Sequence, residues 1–323
     1  MPRSRPLRVV FLGTPAYALP SLESVRASGA ELVAVVCQPD RPKGRGLGLV
    51  APPVKEWAQA QGLPVHQPEK VRQGKLRALL EPYAPDVLVV TAYGRILPPE
   101  VLQLPPLGAL NGHASLLPKY RGAAPIQWAI ARGETVTGVT VMQMDEGLDT
   151  GDVVLARSLA IGPEETAVEL AERLSRLTGD ALREALELLG KGELPRTPQD
   201  HAQATLAPML KREDGFLDLR LGARELTWRI RGFQPWPGAT LFLAGRPVKV
   251  HRARVGPSTG AAPGTVTQAG ETIGVETADG VLELLEVQPE GRRRMTAREL
   301  VSGQRLAPGD RFEVPPPATK PEG

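Results

Sequence analysis

An amide, an imidazole and a carboxylate stand at spacings that could serve a single reaction. Asn111 and His113 lie in Asn111-Gly112-His113-Ala114-Ser115-Leu116-Leu117-Pro118, and Asp149 follows in Met144-Asp145-Glu146-Gly147-Leu148-Asp149-Thr150-Gly151-Asp152. If Asn111 to His113 continue the apolar run before them as a strand, a period of two turns both side chains to one face. A carbonyl substrate on that face meets a neutral hydrogen-bond donor and a proton carrier together, two of the three parts that acyl or formyl transfer requires. A carboxylate that orients the imidazole is the third, and Asp149 can supply it. On the residues alone other readings stay open. Asn-Gly between apolar segments also marks a hairpin turn, and Asp149 among Asp145, Glu146 and Asp152 also suits a metal-binding or solvated acidic loop. The spacing does not fit the alternating oxygen ligands of a calcium loop, and no cysteine or histidine is near in sequence, so no metal is expected.

The elements that must hold these residues read as strands and helices in alternation. Apolar runs at Leu7 to Leu12, Leu32 to Cys37 and Val87 to Val90 are expected strands, separated by helical stretches at Ser21 to Ala27, Val54 to Gln61 and Gly74 to Leu80. Short β-rich runs between helices indicate an α/β fold, a doubly wound and mostly parallel sheet covered on both faces. Gly138 to Met144 and Asp152 to Leu159 are further strands, in part antiparallel. Thr166 to Leu189 is the clearest helix: Thr166 and Glu169 form a capping-box pattern, and Gly190 can end it. Breakers then accumulate in Lys191-Gly192-Glu193-Leu194-Pro195-Arg196-Thr197-Pro198. The expected organisation is a catalytic domain at 1–190, a linker at 191–207, a C-terminal domain at 208–314 and a disordered tail at 315–323. Five short strand candidates between Thr240 and Val287, after one helix at Ala223 to Arg231, suggest a small OB-like β-barrel for the C-terminal domain.

At 323 residues the chain exceeds what one core usually holds, and 41% hydrophobic residues support globular folding. A single cysteine, Cys37, excludes an intrachain disulfide framework and suits a reducing compartment, the cytoplasm. No long uncharged apolar run qualifies as a membrane span, and the basic start is not read as a signal peptide. The net charge of +3 is too small to announce a nucleic-acid binder, but the part from Arg196 onward holds 18 basic and 15 acidic residues while the part before it holds 21 of each. All of the excess is therefore C-terminal. No obligate protein partner is evident.

The segment Asn-x-His-x-Ser-Leu-Leu-Pro, followed by Tyr120-Arg121-Gly122-Ala123-Ala124-Pro125-Ile126-Gln127-Trp128 and Gly138-Val139-Thr140-Val141-Met142-Gln143-Met144-Asp145, resembles the folate-dependent formyltransferases. The likeness extends to Phe11-Leu12-Gly13-Thr14-Pro15, to Gln38-Pro39-Asp40-Arg41-Pro42-Lys43-Gly44-Arg45-Gly46 and to Arg231-Gly232-Phe233-Gln234-Pro235-Trp236-Pro237-Gly238, so it covers most of the chain. Gly112 departs from the pattern, which places a larger apolar residue between the Asn and the His. The resemblance implies transfer of the formyl group of 10-formyltetrahydrofolate, a co-substrate, to the free amino group of initiator methionyl-tRNA. It assigns catalysis to Asn111, His113 and Asp149, folate binding to Ser115, Leu116, Leu117 and Pro118, and acceptor-end contact to the basic loop with Arg41, Lys43 and Arg45. Tyr93 to Pro98 would complete the folate pocket. In the C-terminal domain Lys249 and Arg252 are the chosen phosphate contacts, although simple alternation puts Lys249 and His251 on one strand face and Arg252 and Arg254 on the other. The alternatives are a related formyltransferase acting on a small amine and a formyltetrahydrofolate hydrolase; the basic loop and the C-terminal domain argue against both.

Overall fold

A computed structural model of the chain describes residues 5–43 and 48–313. The expected disordered tail at 315–323 lies outside the described residues. The chain divides into two compact units that interleave along the sequence. One holds the described residues up to Pro125, Val136–Ala160 and Leu170–Pro208; the other holds Ile126–Thr135, Ile161–Glu169 and the described residues from Met209 onward.

The first unit begins with β1 (Arg8–Gly13), α1 (Leu19–Ala27) and β2 (Glu31–Val36). A small ribbon follows, β3 (Arg41–Lys43) paired antiparallel with β4 (Gly48–Val50), then α2 (Pro53–Ala60) and β5 (Val65–His66). Next come α3 (Lys75–Leu80), β6 (Val87–Thr91), α4 (Pro99–Leu102) and β7 (Ala109–His113). After α5 (Pro125–Ala131), which from Ile126 onward belongs to the second unit, the chain forms β8 (Val136–Gln143), β9 (Val153–Ala160) and the 25-residue α6 (Ala167–Lys191). The main sheet has the order β5-β2-β1-β6-β7-β8-β9. Its first five strands are mutually parallel, β8 runs antiparallel to them, and β9 is antiparallel to β8.

This order follows from the apolar runs. Val9, Val10, Phe11 and Leu12 are all fully buried, as are Val87, Leu88 and Val89, which requires cover on both faces. One face carries Val10, Leu12, Leu88 and Val90 with Leu76, Leu80 and Val101 from the helices. On the opposite face Gly112 lies against Thr178 and Leu182 of α6, where an added Cβ would stand 2.5 Å from Thr178 Cγ2. The strand order reverses between β1 and β6, and ligands in such sheets collect at the carboxyl ends beside that reversal.

One local reading is decided and one is corrected. Asn111-Gly112 lies within β7, paired to β6 and β8, as the strand reading expects, and not in a turn. Gly190 does not end α6: the helix runs to Lys191, and Gly192 takes the left-handed conformation at φ +76. The reason is the closing pair of bonds, Glu193 N–H to Leu188 C=O at 2.9 Å and Gly192 N–H to Leu189 C=O at 3.1 Å, which place the left-handed residue two positions later. The breaker-rich stretch that follows is tied down. Thr197 exchanges both backbone hydrogen bonds with Val153, and Arg121 N–H donates to Thr205 C=O while Ala207 N–H donates to Arg121 C=O.

The second unit contains α7 (Ala223–Gly232), β10 (Ala239–Leu243), β11 (Arg246–Gly256), β12 (Val266–Ala269), β13 (Ile273–Glu276) and β14 (Val281–Pro289). It closes with β15 (Met295–Thr296), α8 (Ala297–Gln304) and β16 (Phe312–Glu313). The sheet is antiparallel throughout, in the order β12-β13-β14-β11-β10-β16 with β15 on β14, an OB-like curled sheet. Its core joins Leu241, Val248, Val250, Ile273, Leu282 and Leu284 to Leu226 and Ile230 of α7 and Leu300 of α8. Among the described residues no helix is long and apolar enough to cross a membrane.

Candidate active site

The site lies where β7 ends. Asn111 and His113, two residues apart on one strand, share a face, and Gly112 between them points to α6. Asn111 is half-buried, so its amide can reach a ligand, whereas His113 is only 7% exposed. The His113 Nε2 lies 2.9 Å from the Tyr120 carbonyl oxygen. A carbonyl can only accept, so Nε2 carries the hydrogen in this contact and Nδ1 keeps the lone pair when the ring is neutral. Nδ1 stands 3.6 Å from Asp149 Oδ2.

Asp149 reaches this position through a tight loop after β8. Asp145, exposed, accepts hydrogen bonds from Gly147 N–H at 3.0 Å and Thr150 Oγ1 at 2.7 Å and so closes the loop rather than entering the site. Asp149 itself has φ +54, a left-handed conformation that Asp tolerates better than most residues. Its Oδ2 accepts from the Gly122 N–H at 2.8 Å. Gly122 has φ +118, and an added Cβ would stand 2.7 Å from the Ala207 carbonyl oxygen, so glycine is required there. Among the described residues no group of three or more His, Cys, Asp or Glu side chains is placed to hold a metal ion.

The expected folate segment turns sharply after β7 and is anchored to β8. Thr140 Oγ1 donates to the Ser115 carbonyl at 2.7 Å and accepts from Leu117 N–H at 3.0 Å. Ser115 is fully buried and spends its hydroxyl on the Lys119 carbonyl at 2.6 Å, while Leu116, Leu117 and Pro118 remain half-buried. A cleft of about 460 Å³, lined by Arg72, Gln73, Ile96, Leu97, Pro98, Pro99, Glu100 and Glu146, opens after β6. Its lining sets the apolar Ile96, Leu97 and Pro98 beside Arg72 and two carboxylates, Glu100 and Glu146. Glu146 places one edge of it on the loop that carries Asp149. A larger hollow of about 580 Å³ is lined by Arg5, Leu7, Ala30 and Lys191, at the amino edge of the sheet, and contains none of the expected site residues.

The expected basic loop is a ribbon at its root, with Arg41 opposite Val50 and Lys43 opposite Gly48. Arg41 is exposed and donates to Gln38 Oε1. Arg45 lies outside the described residues, as does the Lys43 side chain. Just before the ribbon, Asp40 binds Lys55 Nζ at 2.7 Å and Gln67 Nε2 at 2.7 Å, bonds that hold its carboxyl below the usual range.

On β11 the expected alternation fails. The register against β14 shifts on both sides of Arg252, so a bulge resets the parity. Lys249, Arg252 and Arg254 are all exposed, while Val248 and Val250 are buried before the bulge and Ala253 packs inward after it. Arg252, at the bulge, and Arg254, beyond it, are partly neutralised, by Glu286 at 3.1 Å and Glu283 at 2.6 Å respectively. Burial pushes the Glu286 carboxyl up, but hydrogen bonds from Arg294 and Arg252 pull it further down, below its ordinary value.

Sequence reasoning missed the scaffold of Asp149. Gln199, buried, donates from Nε2 to the carbonyls of Asp149 at 3.0 Å and Gly151 at 2.7 Å, and its Oε1 accepts from Arg121 Nη2 at 2.7 Å. Nothing in the local pattern marks a glutamine in a breaker-rich stretch as structural.

A parallel-rich α/β sheet with an amide, an imidazole and a carboxylate at one strand end defines a class, and the comparisons agree with it. Formyl transferase is the family matched by residues 7–186, and formyl transferase C-terminal domain is matched by residues 209–305. The chain belongs to the formyl transferase family. Within the family it is 50% identical over 306 residues to a methionyl-tRNA formyltransferase of Koribacter versatilis, covering 94% of this chain and 98% of the relative. It is 53% identical over 304 residues to one of Anaeromyxobacter dehalogenans, covering 93% and 97%. Solved structures share the fold at low identity. HypX from Aquifex aeolicus, in complex with tetrahydrofolic acid, has a TM-score of 0.60 at 18% identity over 91% of this chain and 47% of HypX. An N-formyltransferase from Helicobacter canadensis has 0.65 at 16% identity over 88% and 99%.

Proposed function

We infer that the chain transfers the formyl group of 10-formyltetrahydrofolate to the free amino group of initiator methionyl-tRNA. The observation that carries this reading is identity of about half with methionyl-tRNA formyltransferases over nearly the full length of both chains. 10-Formyltetrahydrofolate supplies an activated formyl carbon; the residues supply orientation and proton management. The acceptor amine must be uncharged to attack, and an unperturbed α-amino group titrates near ~7.7–8.0. We assign to Asn111 the donation of a hydrogen bond to the formyl oxygen as charge develops there, a contribution worth roughly 2.7–4 kcal/mol for one such donor. His113 takes the proton that the amine loses, at Nδ1, where Asp149 Oδ2 stabilises the resulting charge. Return of that proton to the folate nitrogen balances the step: one C–N bond forms, one breaks, and no covalent enzyme adduct is needed.

The cleft bordered by Ile96, Leu97 and Pro98 is assigned to the folate, as are Leu116, Leu117 and Pro118, with Ser115 as the anchor of their turn. Arg41, Lys43 and Arg45 are assigned to the acceptor end of the tRNA, and Lys249 and Arg252 to its phosphates. The cytoplasm, where charged tRNA is available, is the expected compartment. A turnover assay offering 10-formyltetrahydrofolate with charged initiator tRNA, with small amines and with water alone tests the reading. Formylation of charged tRNA far above the other two is the expected result; equal use of a small amine, or release of formate without acceptor, would replace it with one of the alternatives.

A further inference from the structure

We propose that Arg121 and Gln199 are positioning residues of the reaction, a buried clamp that holds the Asp149 loop in its left-handed conformation and aims the carboxylate at His113. The proposal rests on the catalytic assignment of Asp149 and adds what keeps it in place.

Both residues are 7% exposed. Arg121 can only donate, so the Gln199 oxygen must face it, accepting from Nε at 3.2 Å and Nη2 at 2.7 Å. That contact fixes the amide's orientation and forces Gln199 Nε2 toward the two carbonyls it serves, Asp149 at 3.0 Å and Gly151 at 2.7 Å. Arg121 Nη2 also donates to His201 Nδ1 at 3.0 Å. Among the described residues no carboxylate lies within ion-pair distance of the Arg121 guanidinium. A buried charge with only neutral partners is costly to maintain for stability alone.

The backbone of Arg121 completes the clamp. Its N–H and C=O are bound by Thr205 and Ala207, which fixes the following residue, Gly122, whose N–H holds Asp149 Oδ2 at 2.8 Å. One arginine therefore controls Asp149 by two routes, through its side chain to the loop backbone and through its neighbour's amide to the carboxylate. A left-handed non-glycine residue persists only where its surroundings over-determine it, and these bonds do so.

The test uses the full chain and four variants, Gln199→Glu, Arg121→Lys, Asp149→Asn and the double variant Gln199→Glu with Asp149→Asn. Gln199→Glu keeps an oxygen for Arg121 but replaces the donor to the two carbonyls with an acceptor. It should lower kcat about 100-fold, the loss that a misplacement of about 1 Å produces. KM for charged tRNA and for 10-formyltetrahydrofolate, and Tm, should stay near their starting values, and the pH profile of kcat should shift. Arg121→Lys should lose an intermediate factor, because a point charge replaces a planar fork. In the Asp149→Asn background Gln199→Glu should cost almost nothing more, since the residue acts through the aspartate. An equal factor in both backgrounds, or a lowered Tm with kcat per folded molecule unchanged, overturns the clamp. Full activity of Gln199→Glu beside an inactive Asp149→Asn overturns the clamp alone, whereas near-normal turnover by Asp149→Asn overturns the catalytic assignment and the clamp with it. If Gln199→Glu does not fold, Arg121→Lys is read through its own cycle, with Arg121→Lys plus Asp149→Asn as the double variant and the same outcomes deciding.

Discussion

His113 has one nitrogen committed and one available, and this asymmetry decides what its loss should do. Nε2 is engaged by the Tyr120 carbonyl, so proton exchange falls to Nδ1, on the side of Asp149. Replacing His113 with Ala should lower kcat by about 10²–10⁴, the range for loss of a general acid–base group, while binding of a folate analogue stays near normal. Single-turnover formylation together with a binding titration checks this, and turnover close to that of the parent protein would remove His113 from the mechanism. The types of these residues were legible in the sequence because strand periodicity and motif spacing both pointed to them. Their hydrogen-bond partners were not. The Tyr120 carbonyl and the Gly122 amide are backbone groups, and backbone groups leave no trace in side-chain identity.

Elements explain why Gly112 departs from the family pattern. A Cβ there would meet Thr178 Cγ2 at 2.5 Å and Leu182 Cδ1 at 3.2 Å, so the strand and α6 approach more closely than a larger residue permits. Thr178 cannot simply move, because Tyr17 Oη lies 2.9 Å from its hydroxyl, which also donates to Leu174 C=O at 2.7 Å. Gly112→Ala should cost about 1–3 kcal/mol by overpacking. Adding Thr178→Ser, which deletes Cγ2 and keeps the hydroxyl, should restore most of it; urea midpoints of the single and double variants decide. A double variant no more stable than Gly112→Ala alone would refute the packing account. On β11 the bulge gives a second element-scale prediction. Lys249→Ala with Arg252→Ala should weaken charged-tRNA binding and flatten its dependence on salt, leaving folate binding unchanged. An unaltered salt slope would exclude both from phosphate contact. The strands of both units were readable from apolar periodicity, but the bulge was not, since a one-residue register shift is set by the partner strand. The helix α8 was readable and overlooked: Thr296 and Glu299 form a reciprocal capping box, the same signal that marked the start of α6.

For the molecule as a whole, buried groups that ionise with difficulty set an alkaline limit on stability. Burial pushes the Cys37 thiol from 9.0 up to about 11, the Tyr17 hydroxyl from 10.0 to about 12 and the Tyr93 hydroxyl likewise to about 12. All three are raised, so their stabilisation is fully present below pH 9 and is lost as the unfolded chain releases protons that the folded chain retains. Denaturant midpoints should therefore hold steady to about pH 9 and fall progressively toward about pH 12. Tyr93→Phe should shallow that fall, because the Tyr93 hydroxyl is buried with no hydrogen-bond partner among the described residues; an identical slope would remove it as a contributor. The interleaving of the two units has a consequence for the growing chain on the ribosome. Residues 126–135 and 161–169 are made before the segment from Met209 onward with which they pack, Gly133 beneath Trp228 and Trp128 edge-on to Phe233. Neither stretch can finish folding until the later segment has emerged, so during synthesis Trp128 waits without its aromatic neighbour, a partly built core of the kind that favours misassembly.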